Sequence, residues 1–181
     1  MRGEETAIGN FMADAIRSAT GADAAIVNGG GIRGDRQYAA GTTLTRKDLF
    51  KELPFGNKVV MVEVTGKDLR EILENGVWFA GKGDGRFCQV SGLKLKGRKD
   101  AVPGTKLTAI EVAGAALDEA KLYKIATSDF VASGKEGYDA FTRGKTLIGE
   151  VEGRLMVSVI IEAIEKAGTI APVVEGRIVL E

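Results

Sequence analysis

The residues best suited to chemistry in this chain form one short segment, residues 28–33, with the sequence Asn-Gly-Gly-Gly-Ile-Arg. An apolar run at residues 24–27 precedes it and predicts a short buried strand. Consecutive glycines let backbone amides approach an anion closely and make unusual backbone angles inexpensive. Asn28 and Arg33 bring an amide and a permanent cation to the same turn, which suits a phosphate-bearing or otherwise anionic ligand. A tight loop whose glycines serve only backbone geometry explains the segment equally well.

A dinucleotide-binding motif is an alternative interpretation of this turn. Gly29, Gly31 and Gly34 match the pattern G-x-G-x-x-G directly after the predicted strand. That motif needs a helix that begins at the glycines, because the helix N-terminus is the main electrostatic partner of the pyrophosphate. Residues 35–41 do not begin a convincing amphipathic helix, so an NAD-binding module would require a helix that the sequence does not predict.

Two further segments could hold parts of a ligand. A proline and a glycine flank Phe55 and place it on a rigid corner, where an aromatic ring could stack on a base. The residues alone favour a core position for Phe55, since most phenylalanines are buried. Residues 127–138 form a polar, glycine-spaced loop that could present the Phe130 ring and the Glu136 carboxylate to hydroxyl groups. In an ordinary connecting loop, Phe130 would pack inwards and Glu136 would be solvated.

The composition excludes several classes of function. The chain has 181 residues, no histidine and one cysteine, Cys88. Hydrolytic machinery that depends on histidine is therefore excluded, and a tight zinc or di-metal centre is not expected. We predict no catalytic residue, no metal ligand and no internal disulfide in this chain. Its parts are those of a site that holds a nucleotide and does not cleave it.

Charge and hydropathy limit the kinds of partner that the sequence indicates. Lys+Arg and Asp+Glu both number 25, so no global basic field points to nucleic acid. No apolar run approaches the roughly 20 residues that span a bilayer. Residues 1–5 lack the apolar stretch of a signal peptide, and the abrupt start indicates a segment cut from a longer protein.

The pattern of apolar residues predicts an α+β fold, with a mixed β-sheet covered by helices in a single domain over residues 1–181. Strands joined by short turns are expected to pair antiparallel. Residues 34–43 are predicted to be a polar loop, and a strand around residues 90–95 is predicted to kink at Gly92. The predicted helices span residues 7–20, 46–53, 67–75 and 150–167, and the other predicted strands span residues 23–27, 58–64, 107–112, 122–126 and 177–180.

Taken in series, these motifs resemble the C-terminal domain of the 5′-nucleotidase family, which includes periplasmic UDP-sugar hydrolases and cell-surface ecto-5′-nucleotidases. The resemblance covers almost the whole chain. It is carried in family order by residues 5–15, 21–33, 53–57, 64–66, 90–93 and 123–127.

The resemblance implies the substrate-binding half of a two-domain, metal-dependent enzyme that hydrolyses nucleotide phosphate esters. An N-terminal metallophosphatase domain, absent from this chain, would carry a divalent metal pair such as zinc or manganese. The parent protein would then be periplasmic or extracellular, and the isolated chain would bind a nucleoside or nucleotide without hydrolysing it. A non-catalytic interaction domain that has lost nucleotide affinity is the alternative.

The resemblance also implies roles for individual residues. Phe55 and Phe130 match two aromatic residues that sandwich the base, and Arg33 matches an arginine that contacts the phosphate or the ribose side. Asn28 matches an asparagine near the base, and Glu136 stands where the family usually has an aspartate that holds the ribose hydroxyls. The full predicted substrate-binding set is Asn28, Gly30, Gly31, Arg33, Phe55, Asn57, Phe130 and Glu136.

Two departures from the family loop Gly-Gly-Asp-Gly bear on specificity. Lys135 replaces a glycine, so the backbone there has less freedom. Glu136 is one methylene longer than aspartate. We expect these two residues to shift preference away from plain ribonucleoside monophosphates.

Overall fold

The computed structural model describes residues 1–34 and 36–181. A six-stranded sheet lies between two hydrophobic cores. One face packs against α1, α2 and α5, and the other packs against α3 and a second, four-stranded sheet. The helices are α1 (Ala7–Thr20), α2 (Arg46–Glu52), α3 (Gly66–Val77), α4 (Asp129–Ala132) and α5 (Met156–Ala167), and short 3-10 turns cover Gly29–Gly31, Lys135–Gly137 and Asp139–Arg143.

Both sheets mix parallel and antiparallel pairs, which confirms the predicted α+β class. The larger sheet has the order β3-β1-β7-β2-β8, and β9 also pairs with β2. The smaller sheet has the order β10-β4-β5-β6. The strands are β1 (Ala24–Asn28), β2 (Lys58–Thr65), β3 (Cys88–Ser91), β4 (Leu93–Gly97), β5 (Leu107–Val112), β6 (Ala115–Ala116), β7 (Leu122–Ser128), β8 (Lys145–Ile148), β9 (Arg154–Leu155) and β10 (Ile178–Leu180).

The sheet topology gathers the three candidate segments at one edge of the larger sheet. Strands β1 and β7 run parallel, so the glycine turn after Asn28 and the loop after Ser128 leave the sheet at the same edge. Strand β2 runs antiparallel to β7 and pairs Val59 with Ser128, so the corner that carries Phe55 enters from that edge too. All five residues of β1 are buried, which fixes this arrangement at the centre of the fold.

Two capping residues define α1, which spans the predicted residues 7–20. The Thr6 side chain accepts a hydrogen bond from the Gly9 amide at 3.2 Å, as an N-cap should. Gly21 ends the helix with a φ of 65°, a left-handed conformation that glycine adopts without steric cost. Met12 and Ile16, four residues apart on the helix, are buried against the sheet, so the apolar face of α1 lies against the core.

The kink predicted at Gly92 is a switch between sheets. Strand β3 belongs to the larger sheet and β4 to the smaller one, and Gly92 between them has a φ of 72°. A Cβ at this position would stand 2.5 Å from the carbonyl oxygen of Asp23, so no larger residue fits without moving the backbone.

The predicted helix over residues 150–167 is wrong in its first third. Residues 154 and 155 form β9, which pairs with the start of β2, and α5 begins only at Met156. Val151 lies four residues before Leu155, the spacing of a helical apolar face, but it is 90% exposed, so its place in the apolar pattern was a coincidence. A Cβ on Gly153 would lie 2.7 Å from the Val59 carbonyl oxygen, which shows how closely this segment passes β2.

The predicted polar loop over residues 34–43 includes Asp35, which lies outside the described residues. Residues 36–43 contain no helix, so the helix that a dinucleotide-binding module would need is not found there. Within the described part of the chain, no helix is both long enough and apolar enough to cross a membrane.

Glu5 ties the last strand to the first helix. Its carboxylate accepts hydrogen bonds from the Asn10 amide at 2.7 Å and from the backbone of Glu175 and Ile178 at 2.7 and 3.1 Å. Burial alone would raise the pKa of the Glu5 carboxyl, but these hydrogen bonds outweigh it, so the pKa lies below its usual value. The charged form of Glu5 therefore stabilises the fold.

We expect Glu5→Gln to lower the free energy of unfolding by about 1–3 kcal/mol near neutral pH, because the amide cannot replace a carboxylate that accepts several hydrogen bonds. The folded-state pKa is depressed, so the stabilisation is complete above the unfolded pKa of about 4.3 and disappears as pH falls through the folded pKa. Urea denaturation over a series of acidic pH values should thus show a flatter decline for the variant than for the wild type. Glu4→Gln, at an exposed neighbouring position, is the control; equal flattening in both variants would contradict this role.

Candidate functional site

Asn28 is the last residue of the central strand β1 and directly precedes the glycine turn. Asn28 is 2% exposed, and its Nδ2 donates a hydrogen bond to Glu136 Oε2 at 2.8 Å across 108 residues of sequence. Its Oδ1 has no hydrogen-bond partner among the described residues, and a Cβ on Gly31 would stand 2.9 Å from it. Gly31 therefore makes room for the Asn28 amide.

The amides of the glycine turn are largely used inside the protein. Gly29 donates to the Phe87 carbonyl at 2.7 Å, and Gly30 donates to the Gly85 carbonyl at 2.6 Å. The Gly34 amide donates to a carboxylate oxygen of Glu52, also at 2.7 Å. An anion at this turn would accordingly depend on the Arg33 side chain more than on these three amides.

Glu136 sits in a crevice between two glycines. A Cβ on either Gly30 or Gly85 would lie 3.2 Å from Glu136 Oε1, so the absence of side chains at both positions gives the carboxylate its space. Glu136 is half-buried and has a φ of 56°. The left-handed region costs a residue with a Cβ about 1–2 kcal/mol, so the surrounding contacts must hold it there.

Phe55 does not plug the core, contrary to the expectation from its residue type. Its side chain is 51% exposed, and it lies directly before a turn at Gly56, whose φ is 66°. The Arg33 guanidinium carbon lies 4.5 Å from the ring centroid, within the range of a cation–π contact. The two predicted site residues are therefore neighbours in space.

Glu52 positions the backbone of Arg33 and of the residue that follows it. Its backbone carbonyl accepts the Arg33 amide at 2.9 Å, while its buried carboxylate accepts the Gly34 amide and the Tyr38 hydroxyl. Burial, followed by this hydrogen bond to Glu52, raises the pKa of Tyr38 above its usual value. Glu52 is the last residue of α2, and Phe55 follows it closely in the chain. The end of this short helix therefore determines the positions of both Arg33 and Phe55.

Phe130 lies on the neighbouring loop and is partly buried against the core that contains α3. The Lys135 ammonium stands 6.0 Å from its ring centroid. Among the described residues, the close aromatic pairs are Trp78 with Phe79 and Tyr138 with Phe141, so the Phe55 and Phe130 rings do not stack on each other. Asn57 lines a shallow cleft beside Phe55 and Gly31, and its carbonyl accepts the Met156 amide at 2.8 Å.

The sequence did not reveal Asp129, which joins the two aromatic segments. One of its carboxylate oxygens accepts the Lys58 amide at 3.1 Å and the Phe130 amide at 2.8 Å. Lys58 begins the strand that follows the Phe55 corner, so a single atom ties both segments together. We predicted a loop over this segment, but the structure has the short helix α4. The signal that could have revealed it is the Ser-Asp pair at residues 128–129, which is typical of a helix start.

Asn75 was also missed. It lies in the last turn of α3, is 8% exposed, and its Nδ2 donates to the Glu136 carbonyl at 3.1 Å. An asparagine beside the apolar positions 69, 72 and 73 of a helix is a signal, because a buried amide needs a partner.

The side chains that meet at this edge are suited to binding. They supply two aromatic rings, two cations, two amides and a carboxylate, which belong to Phe55, Phe130, Arg33, Lys135, Asn28, Asn57 and Glu136. In the part of the chain that is described, no group of three or more histidine, cysteine, aspartate or glutamate residues is placed to hold a metal ion. Burial raises the pKa of the Cys88 thiol to about 12, so the single cysteine is not a nucleophile at neutral pH.

Comparisons with a family model and with known proteins agree on one family. The model of the family described as "5′-nucleotidase, C-terminal domain" matches residues 1–143. The trifunctional nucleotide phosphoesterase protein YfkN of Bacillus subtilis (strain 168) is 33% identical over an alignment of 188 positions, gaps included, that covers 98% of this chain and 12% of that protein. The snake venom 5′-nucleotidase of Gloydius brevicauda is 31% identical over 163 residues, with 85% and 27% coverage.

A solved structure has the same fold. The 5′-nucleotidase precursor from Thermus thermophilus superimposes with a TM-score of 0.88 at 27% identity, over 99% of this chain and 36% of that one. The chain thus spans well under half the length of each of these relatives.

We expect Asp129→Ala to destabilise the protein by about 1–3 kcal/mol, because two backbone amides lose their shared acceptor. Asp129→Asn keeps an oxygen at the same place and should retain most of the stability. Chemical denaturation of both variants measures the difference. Equal losses would show that the shared acceptor oxygen is not what joins the two segments.

Proposed function

The chain belongs to the family of 5′-nucleotidase C-terminal domains, and on that premise we propose that it binds the nucleoside part of a nucleotide at the sheet edge described above. The base would enter between the Phe55 and Phe130 segments. Glu136 would accept hydrogen bonds from ribose hydroxyls, with Asn28 and Asn57 beside the base. Arg33 would face the phosphate or the ribose side, while Gly30 and Gly31 leave space for the ligand.

The observation that carries the proposal is the exposed aromatic ring on a rigid corner. Phe55 is half exposed although the chain around it is fixed by a proline, by the Asp129 contact to Lys58 and by Arg33 on its ring. An ordered, exposed ring is a natural stacking platform for a base. The adjoining Phe130 segment is tied to the same carboxylate, so both segments keep a fixed relation to each other.

We propose that a separate domain, and not this chain, carries out hydrolysis. The chain covers 12% and 27% of the two curated relatives described above, and their names describe phosphoesterase and nucleotidase activity. We propose an N-terminal metallophosphatase domain with a divalent metal pair as the partner of this chain. The donor set here does not fit such a pair, since the chain has no histidine and its described residues form no metal-binding cluster.

The proposal extends to location. A relative found in snake venom supports a parent protein that acts outside the cytoplasm, in the periplasm or the extracellular space.

We expect Phe55→Ala and Phe130→Ala each to weaken binding of adenosine monophosphate by about 5- to 150-fold, equivalent to about 1–3 kcal/mol of base stacking. Titration calorimetry with the purified chain measures this. Phe50→Ala is a matched control, because Phe50 is 52% exposed, lies on α2 and does not line the cleft beside Phe55. Unchanged affinity in Phe130→Ala would instead support an interaction domain that has lost nucleotide binding.

Lys135 and Glu136 are proposed to set substrate preference. Lys135 adds a positive charge beside Phe130, and the longer Glu136 side chain places its carboxylate on Asn28. We expect the double variant Lys135→Gly/Glu136→Asp to shift affinity toward AMP and UMP relative to UDP-glucose by about fivefold, the scale of one hydrogen bond. The two single variants separate the contributions, and an unaltered order of affinities would refute this assignment.

A further inference from the structure

Glu136 has an unusual backbone that something must hold. Among the described residues other than glycine, only Ala113 and Glu136 have positive φ angles. A side chain with a Cβ rarely adopts this region unless its surroundings determine it. The Asn28 hydrogen bond fixes the carboxylate, but it does not contact the backbone.

Asn75 supplies the backbone contact. Its Nδ2 donates to the Glu136 carbonyl oxygen at 3.1 Å. A Cβ on the next residue, Gly137, would stand 2.8 Å from Asn75 Oδ1, so the Asn75 side chain is pressed against the segment that it holds. Because Asn75 is almost fully buried, water cannot easily replace the contact.

The helix that carries Asn75 and the segment that carries Glu136 are each anchored to a further part of the chain. The preceding residue, Glu74, accepts the backbone amides of Lys106 and Leu107 at 2.9 and 2.8 Å. On the other side of the segment, the Tyr138 hydroxyl donates to the Arg86 carbonyl at 2.5 Å. The position of Glu136 is therefore fixed by contacts with α3 and Asn28 and by the buried Tyr138 two residues further along the chain.

We propose that Asn75 is a positioning residue that sets the Glu136 carboxylate for the vicinal hydroxyl groups of a ribose. Asn75 acts through Glu136, because its amide meets the backbone behind the carboxylate. Without that amide, residues 135–137 would relax to other backbone angles and withdraw the carboxylate from the crevice between Gly30 and Gly85. The inference rests on the proposed nucleoside-binding function and adds to it the residue that positions the ribose-binding carboxylate.

The test compares adenosine with 2′,3′-dideoxyadenosine, which lacks both hydroxyls, by titration calorimetry on the full chain. The wild type should favour adenosine. Asn75→Ala should reduce that preference by about fivefold, the scale of one lost hydrogen bond, and leave dideoxyadenosine affinity unchanged. In a Glu136→Gln background, Asn75→Ala should reduce the preference little further, since the carboxylate is already gone.

Glu74→Gln is the matched control, because it disturbs the same turn of α3 on the side away from Glu136. It should lower stability and leave the adenosine preference unchanged. If Asn75→Ala does not fold, Asn75→Asp keeps the size of the side chain, replaces the donor by an acceptor and carries the same expectation.

The outcomes separate this inference from the proposed function. If the wild type favours adenosine and the Asn75 variants keep that preference, or lose affinity for both ligands equally, the inference is overturned and nucleoside binding stands. If the wild type binds both ligands equally, Glu136 does not contact the ribose and the inference fails. If the wild type binds neither ligand, the proposed function itself fails.

Discussion

The burial of β1 on both faces is the constraint on which the rest of the structure depends. Its five residues are enclosed between α1 on one side and α3 on the other, and β3 and β7 flank it in the sheet. A strand so enclosed cannot shift its register without placing side chains of the wrong size in both cores. Asn28 at its end therefore has a fixed position, and the glycine turn, Glu136 and the Phe55 corner are arranged around it.

Polar contacts hold the loops of the site in place. Asp129, Glu52 and Asn75 each hold backbone groups of a different segment. None of the three lies in the set of residues predicted to contact the ligand. Binding precision depends on such supporting residues, because a ring or a carboxylate on an unsupported loop would lose conformational entropy whenever a ligand bound.

Local features of the fold could be predicted from the sequence, and contacts across long separations could not. The helix over residues 7–20 and the kink at Gly92 follow from residue type and spacing. The predicted start of α5 was wrong because Val151 matched a helical period by chance. Residue type alone favoured a core position for Phe55, because it carries no information on the local turn, whereas the family resemblance assigned Phe55 to the ligand. Of the candidate site, the predicted residues follow from the motifs and the family resemblance, whereas the Asn28–Glu136 hydrogen bond requires the pairing of β1 with β7.

That parallel pairing has a consequence for folding kinetics. Thr127 on β7 donates its hydroxyl to the Ile26 carbonyl on β1 across 101 residues, so the chain must close a long loop before the centre of the sheet exists. Contacts of such high sequence separation form slowly, because the entropy of loop closure is lost before the contacts compensate for it. The residues at the sheet edge come together only after this step. Recovery of ligand binding in a refolding experiment would therefore report completion of the central sheet, whereas recovery of helical signal would report earlier, local events.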